Sequence, residues 1–139
     1  MALKMDAAEI SSFLYEAFPQ VSGDFEIRDL QENYIEVVLV VAERHLRPGG
    51  TVSGPSMFGL ADVAAYFNVL SMIGPKALAV TTNCSIDFMR KPIFGDNLLA
   101  KSKVLKLGRG LAVTECLIFS ERDERPVARA NLTYSLPRK

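Results

Sequence analysis

Tryptophan is absent from the 139 residues, histidine occurs once and cysteine twice. A zinc site takes about four Cys, His or carboxylate ligands at paired spacings. Cys84 and Cys116 stand far apart with no CxxC pair, so no Cys/His metal centre is expected. Both cysteines lie in apolar runs and read as buried free thiols, which suits a reducing cytoplasm. Excess charge of either sign is also missing, with 16 Lys+Arg against 16 Asp+Glu. Phosphate-backbone affinity comes from clustered excess cations, so a general nucleic-acid binder is excluded. At the N-terminus, MALKMDAAEI has no apolar signal core. No segment reads as a membrane span of ~20 apolar residues. What is abundant is apolar surface: 49% of residues are hydrophobic and 23% charged. That composition and length fit one soluble, cytoplasmic domain over residues 1–139, with no nucleic-acid and no membrane partner.

Asp6 to Phe18 carries Ile10, Phe13, Leu14, Ala17 and Phe18 at helical spacing, and Pro19 ends the pattern. FEIRDL and YIEVVLVVAE follow as two strands parted by Gln31-Glu32-Asn33. RHLRPGGTV, residues 44–52, reads as a loop. Ser53-Gly54-Pro55 then opens a helix predicted over 55–73, capped by serine, entered through proline and stopped at Gly74-Pro75. That helix is apolar nearly all round, with Asp62 and Asn68 its strong polar interruptions, so the remaining chain must wrap it. It also reads as too short and too polar to cross a membrane. The wrapping comes from β-like runs at Ala77–Phe88, Leu98–Leu107, Leu111–Ser120 and Val127–Leu136, separated by turns short enough, in the last two cases, for hairpins. The expected class is α+β: a curved antiparallel sheet around one long central helix, with a short N-terminal helix.

Asp62 is the residue that needs a reason. A carboxylate amid Leu60, Ala61, Val63 and Ala64 costs several kcal/mol to bury unless paired. It either faces water at a helix edge or caps a neighbouring loop, or serves as a general base or nucleophile in an apolar pocket. The glycine-rich loop ahead of the helix adds free N–H groups at the positive end of a helix dipole, where an oxyanion can be stabilised. The same glycines also suit a tight turn. His45 has no nucleophile at recognisable spacing and reads as a surface loop residue. Arg90, Lys91 and Arg109 sit in turns, where solvated charge is ordinary. Lys101 and Lys103 alternate on one strand face and read as solvent-facing or edge-guarding.

GTVSGPSMFGLADVAAYF, the strand end T-x-x-x-x-I-x-F-x-R-x-P, the L-x-x-G-R hairpin and the closing V-A-R-A follow one another between Leu46 and Leu136. In that order they resemble the PaaI-like hot-dog acyl-CoA thioesterases. The resemblance implies a hot-dog fold and hydrolysis of an acyl-CoA to free acid and CoA, without metal or organic cofactor. It further implies that Asp62 is the catalytic carboxylate and that the Gly54 N–H polarises the thioester carbonyl. Thr81 would place a hydroxyl near the carboxylate and the attacking water. Arg90, Lys91 and Arg109 would contact coenzyme A phosphates, and each site would be shared between subunits of a homodimer, in many relatives a tetramer. Two positions depart from the family pattern. Ser53-Gly54-Pro55 stands where His-Gly-Gly is usual, and Arg47 stands where an Asn or Gln positions water or substrate. Arg47 could bind a carbonyl or phosphate, or could mark a non-catalytic acyl-CoA or lipid-binding module. A hot-dog dehydratase lacks support, since no helix-associated histidine accompanies the acid.

Overall fold

The structure is a computed structural model and describes residues 2–19, 23–75 and 79–137. Helix α1 (Ala7–Ala17) starts from a capping box: the Asp6 carboxylate accepts from the Glu9 N–H at 2.8 Å, and Glu9 accepts in return from the Asp6 N–H at 3.1 Å. Strands β1 (Phe25–Gln31) and β2 (Tyr34–Leu39) form a hairpin whose turn places Asn33 at φ 59°, a conformation asparagine tolerates better than most residues. β2 ends earlier than its apolar run suggests. The Val40 N–H bonds to the Asp24 carbonyl and the Val41 N–H to the Asn97 side chain, so both leave the ladder for loop partners.

Helix α2 (Gly54–Ile73) follows, and after it β3 (Val80–Phe88), β4 (Leu98–Leu107), β5 (Leu111–Ser120) and β6 (Ala128–Ser135). The predicted start of β3 at Ala77 lies outside the described residues. Ser53 caps α2 as expected, its Oγ accepting from the Ser56 N–H at 3.2 Å. The six strands make one antiparallel sheet in the order β1-β2-β4-β5-β6-β3. This is the hot-dog arrangement, the sheet curling around α2.

Three expectations need correction. By length and composition α2 does match a membrane span: it has 20 residues and a mean hydropathy of 1.4. Burial explains the apolar character instead, since Leu60, Ala61, Ala64, Ala65, Phe67 and Leu70 are closed off against the sheet. β4 is an inner strand, so Lys101 and Lys103 guard no edge; Lys101 lies over the Phe119 ring and Lys103 pairs with Glu115 at 3.7 Å. Cys116 is buried, but Cys84 is only half-buried on the edge strand β3.

Candidate active site

Two turns into α2, Asp62 meets the sheet where β3 and β6 run side by side. Thr81 Oγ1 donates to Asp62 Oδ1 at 2.8 Å. The Tyr134 hydroxyl also contacts Oδ1, and lies 2.7 Å from the Asp62 carbonyl oxygen. Thr81 and Tyr134 are brought together because they are paired across the β3–β6 ladder. Oδ1 is thereby occupied, and Oδ2 has no partner among the described residues. A carboxylate tethered through one oxygen keeps its orientation while the other remains available to take a proton.

Tyr134 was not singled out from the sequence. Its side chain is buried, and burial together with the neighbouring Asp62 charge pushes its hydroxyl well above the ordinary tyrosine range. It therefore stays a neutral donor to the carboxylate at any physiological pH. Cys84 is raised by burial and by the same Asp62 charge, which makes it a poor nucleophile. Asp62 and Tyr134 lie at the polar end of a cavity of about 300 Å³, otherwise walled mainly by apolar and aromatic side chains of α1 and α2.

Gly54 lies elsewhere. Eight residues of α-helix separate it from Asp62, a rise of about 12 Å. Its N–H, at the first turn of α2, has no hydrogen bond to a described residue. A second cavity of about 340 Å³ opens here, lined by Gly54, Arg47, Phe88, Arg90 and Lys91 among others. The absence of a side chain matters at this point, because a Cβ on Gly54 would sit 3.3 Å from the Phe88 ring. Arg47 Nε donates to Thr51 Oγ1 at 3.0 Å, and Arg90 donates to the Pro126 carbonyl at 2.8 Å. Both remain exposed.

Arg109 does not join this group. It occupies the β4–β5 turn, whereas Arg90 and Lys91 follow the end of β3. β3 and β5 both pair with β6 and both begin opposite Ser135, so the two turns sit at opposite ends of the sheet. His45 is buried rather than on the surface. Its Nδ1 accepts from the Ala42 N–H at 2.8 Å, and its Nε2 lies 3.5 Å from Asp24, which Arg44 also contacts. Burial, and then the Arg44 charge, hold it below the ordinary histidine value, so it folds a loop as a neutral ring and takes no part in either cavity.

A curled sheet around one apolar helix, with a carboxylate facing an apolar cavity and an unpaired Gly54 N–H about 12 Å away, defines a hot-dog protein. Residues 49–127 match the Thioesterase superfamily model, and the chain belongs to that superfamily. Within it the similarities run to the PaaI-like group. The chain is 27% identical to the acyl-coenzyme A thioesterase PaaI of Escherichia coli over 99 residues, covering 71% of this chain and 69% of that protein. It is 31% identical to "Putative esterase PA0474" of Pseudomonas aeruginosa over 115 residues, covering 83% and 84% of the two chains. A crystal structure named "putative thioesterase", from Silicibacter sp. TM1040, superposes with a TM-score of 0.93 at 56% identity, covering 99% of this chain and 96% of that one.

Proposed function

We propose that the protein is an acyl-CoA thioesterase whose general base is Asp62. The observation that carries this reading is the tether of Asp62 Oδ1 to Thr81 and Tyr134, with Oδ2 left unpaired, beside an apolar cavity. In the step this supports, Oδ2 accepts a proton from water as the water oxygen bonds to the thioester carbon. The Gly54 N–H holds the carbonyl oxygen as it becomes negative. Collapse of the tetrahedral intermediate breaks the C–S bond, and the proton held by Asp62 passes to the departing CoA sulfur. The name of the Escherichia coli relative supports coenzyme A as the leaving group. Arg47, Arg90 and Lys91, gathered beside Gly54, offer cations for its phosphates.

One carbonyl cannot reach Asp62 and Gly54 of the same helix across about 12 Å. A symmetric dimer removes the difficulty. Among the described residues β3 pairs only with β6, which leaves its outer edge open. Antiparallel pairing of two β3 edges about a two-fold axis sets the start of one strand beside the end of the other. Thr81, which holds Asp62, is near the start, and Phe88, against Gly54, is at the end. Gly54 of the partner subunit would thus approach Asp62.

Arg47, exposed and turned onto Thr51, and Pro55, lacking an N–H, favour a second reading: an acyl-CoA-binding module that does not turn over. A panel of acyl-CoA esters, read by release of free thiol, separates the two. Thioesterase function requires hydrolysis by the wild type and a fall in kcat of ~10²-fold or more in Asp62→Asn, as for loss of an acid–base group. Binding without turnover supports the second reading, and near wild-type rates in Asp62→Asn remove the carboxylate from the mechanism.

A further inference from the structure

The two cavities differ in chemistry. The one beside Gly54 holds three cations, whereas the one beside Asp62 holds no cation among the described residues and is dominated by Phe13 and Ala17 of α1, its C-terminal cap Phe18, and Val63 and Phe67 of α2. Phosphates have no cationic partner among the described residues of the Asp62 cavity, while an apolar chain gains from leaving water there, roughly 0.8 kcal/mol per methylene buried. We propose that this α1–α2 cavity is the acyl chamber, and that α1 is the wall that sets the size of the acyl group. The inference rests on the thioesterase reading and adds a substrate class to it: medium-length acyl groups.

Size follows from volume. About 300 Å³ equals on the order of ten water-sized groups at ~30 Å³ each, and a methylene is close to that size. Phe67 is buried and closes the inner side, so it cannot yield without disturbing the core. α1 is the softer wall. Phe18, its C-terminal cap, remains half-exposed, and Ala17 presents the smallest side chain of that turn. Acyl length is therefore set by residues outside the catalytic machinery, on a helix the carboxylate never touches.

The test uses saturated acyl-CoA esters from two to sixteen carbons and phenylacetyl-CoA, with two variants of opposite sense. Ala17→Phe fills the chamber and should lower kcat/KM for decanoyl-CoA about tenfold or more, with less than about twofold change for butyryl-CoA, since one methylene-sized mismatch in an apolar pocket carries an effect of that order. Phe18→Ala opens the wall and should move the optimum toward longer chains. Calorimetric binding of CoA and of octanoyl-CoA to Asp62→Asn protein, with and without Ala17→Phe, reads the chamber without turnover. The chain should add affinity, and Ala17→Phe should remove that gain while leaving CoA binding unchanged. Hydrolysis with the same chain-length profile in all three proteins overturns the chamber and leaves the thioesterase reading intact. Chain-dependent binding, abolished by Ala17→Phe but without hydrolysis, overturns the thioesterase reading and leaves the chamber intact. Neither hydrolysis nor chain-dependent binding overturns both.

Discussion

Tyr134 carries a hydroxyl into the protein interior, where it meets Asp62, at its carbonyl and at its carboxylate, and the Thr81 hydroxyl. A hydrogen bond to a charged group contributes about 1.5–3 kcal/mol, which is roughly ten- to a hundredfold in a rate if the bond matters most in the transition state. Tyr134→Phe should therefore lower kcat by at least about tenfold with little change in KM, because the phenyl ring still fills its space. Steady-state kinetics on the best acyl-CoA ester check this, with thermal unfolding confirming that the variant is folded. Equal kcat in the two proteins would reduce Tyr134 to packing. The sequence carried half of the signal. Ala128, Ala130, Leu132 and Tyr134 alternate in VARANLTYSL, so the tyrosine shares a face with three small or apolar residues and must bring its hydroxyl inward. Its partner was not legible, because that depends on which strand lies beside β6. Asp62 was legible for the opposite reason: a lone carboxylate in an apolar helix conflicts with its surroundings, and such conflicts are visible in a linear string.

Among the elements, α2 shows how far such conflicts can be read. Asn68 also interrupts it, and the structure buries Asn68 fully against Ser102 of β4, its Nδ2 donating to Ser102 Oγ at 3.1 Å. Asn68 Oδ1 has no hydrogen-bond partner among the described residues. A buried polar pair that is half satisfied stabilises less than apolar side chains of the same shape. Asn68→Leu combined with Ser102→Ala should accordingly be neutral or stabilising by ~1 kcal/mol, whereas Asn68→Ala alone should destabilise by roughly 2–3 kcal/mol, leaving a void and an unpaired hydroxyl. Urea unfolding monitored by circular dichroism measures both, and a double variant markedly weaker than wild type would show that the pair stabilises the fold. Strand boundaries were legible wherever glycine and proline punctuated them: β4 and β5 fall where alternation and Gly108-Arg109-Gly110 place them. Strand order was not. Local sequence favours neighbours, so nothing local sends β3 past β4 and β5 to pair with β6 at the far edge. His45 failed similarly: the Ala42 N–H it accepts from is local, but the Asp24 carboxylate beside its Nε2 lies in another segment of the chain.

At the scale of the whole molecule, the two edges of the sheet are treated differently. β1 carries Glu26, Arg28 and Asp29 and a register shift between Ile27 and Asp29, devices that discourage further pairing. β3 runs nine residues with Asp87 its sole charge, and its outer edge lies open among the described residues. An edge of that length is a template for another strand, and in the proposed mechanism the separation of Asp62 from Gly54 calls for a second copy. The sharing of one site between two chains can be tested with two inactive proteins. Asp62→Asn removes the proposed base. Gly54→Leu adds a side chain toward Phe88 and blocks the approach of a carbonyl to the N–H, at a position without positive φ and so without backbone strain. Each homodimer should be inactive, with lesions in both of its sites. When the two proteins are unfolded, mixed and refolded, a mixed dimer holds both lesions in one site and neither in the other. Purified mixed dimers, separated by two different affinity tags, should then recover up to about half of the wild-type activity, as two-fold symmetry requires. Inactive mixed dimers would place Asp62 and Gly54 of each site on one chain. That outcome would require the helix geometry around residues 54–62 to change on substrate binding, which thioester analogues bound to the wild-type protein would reveal.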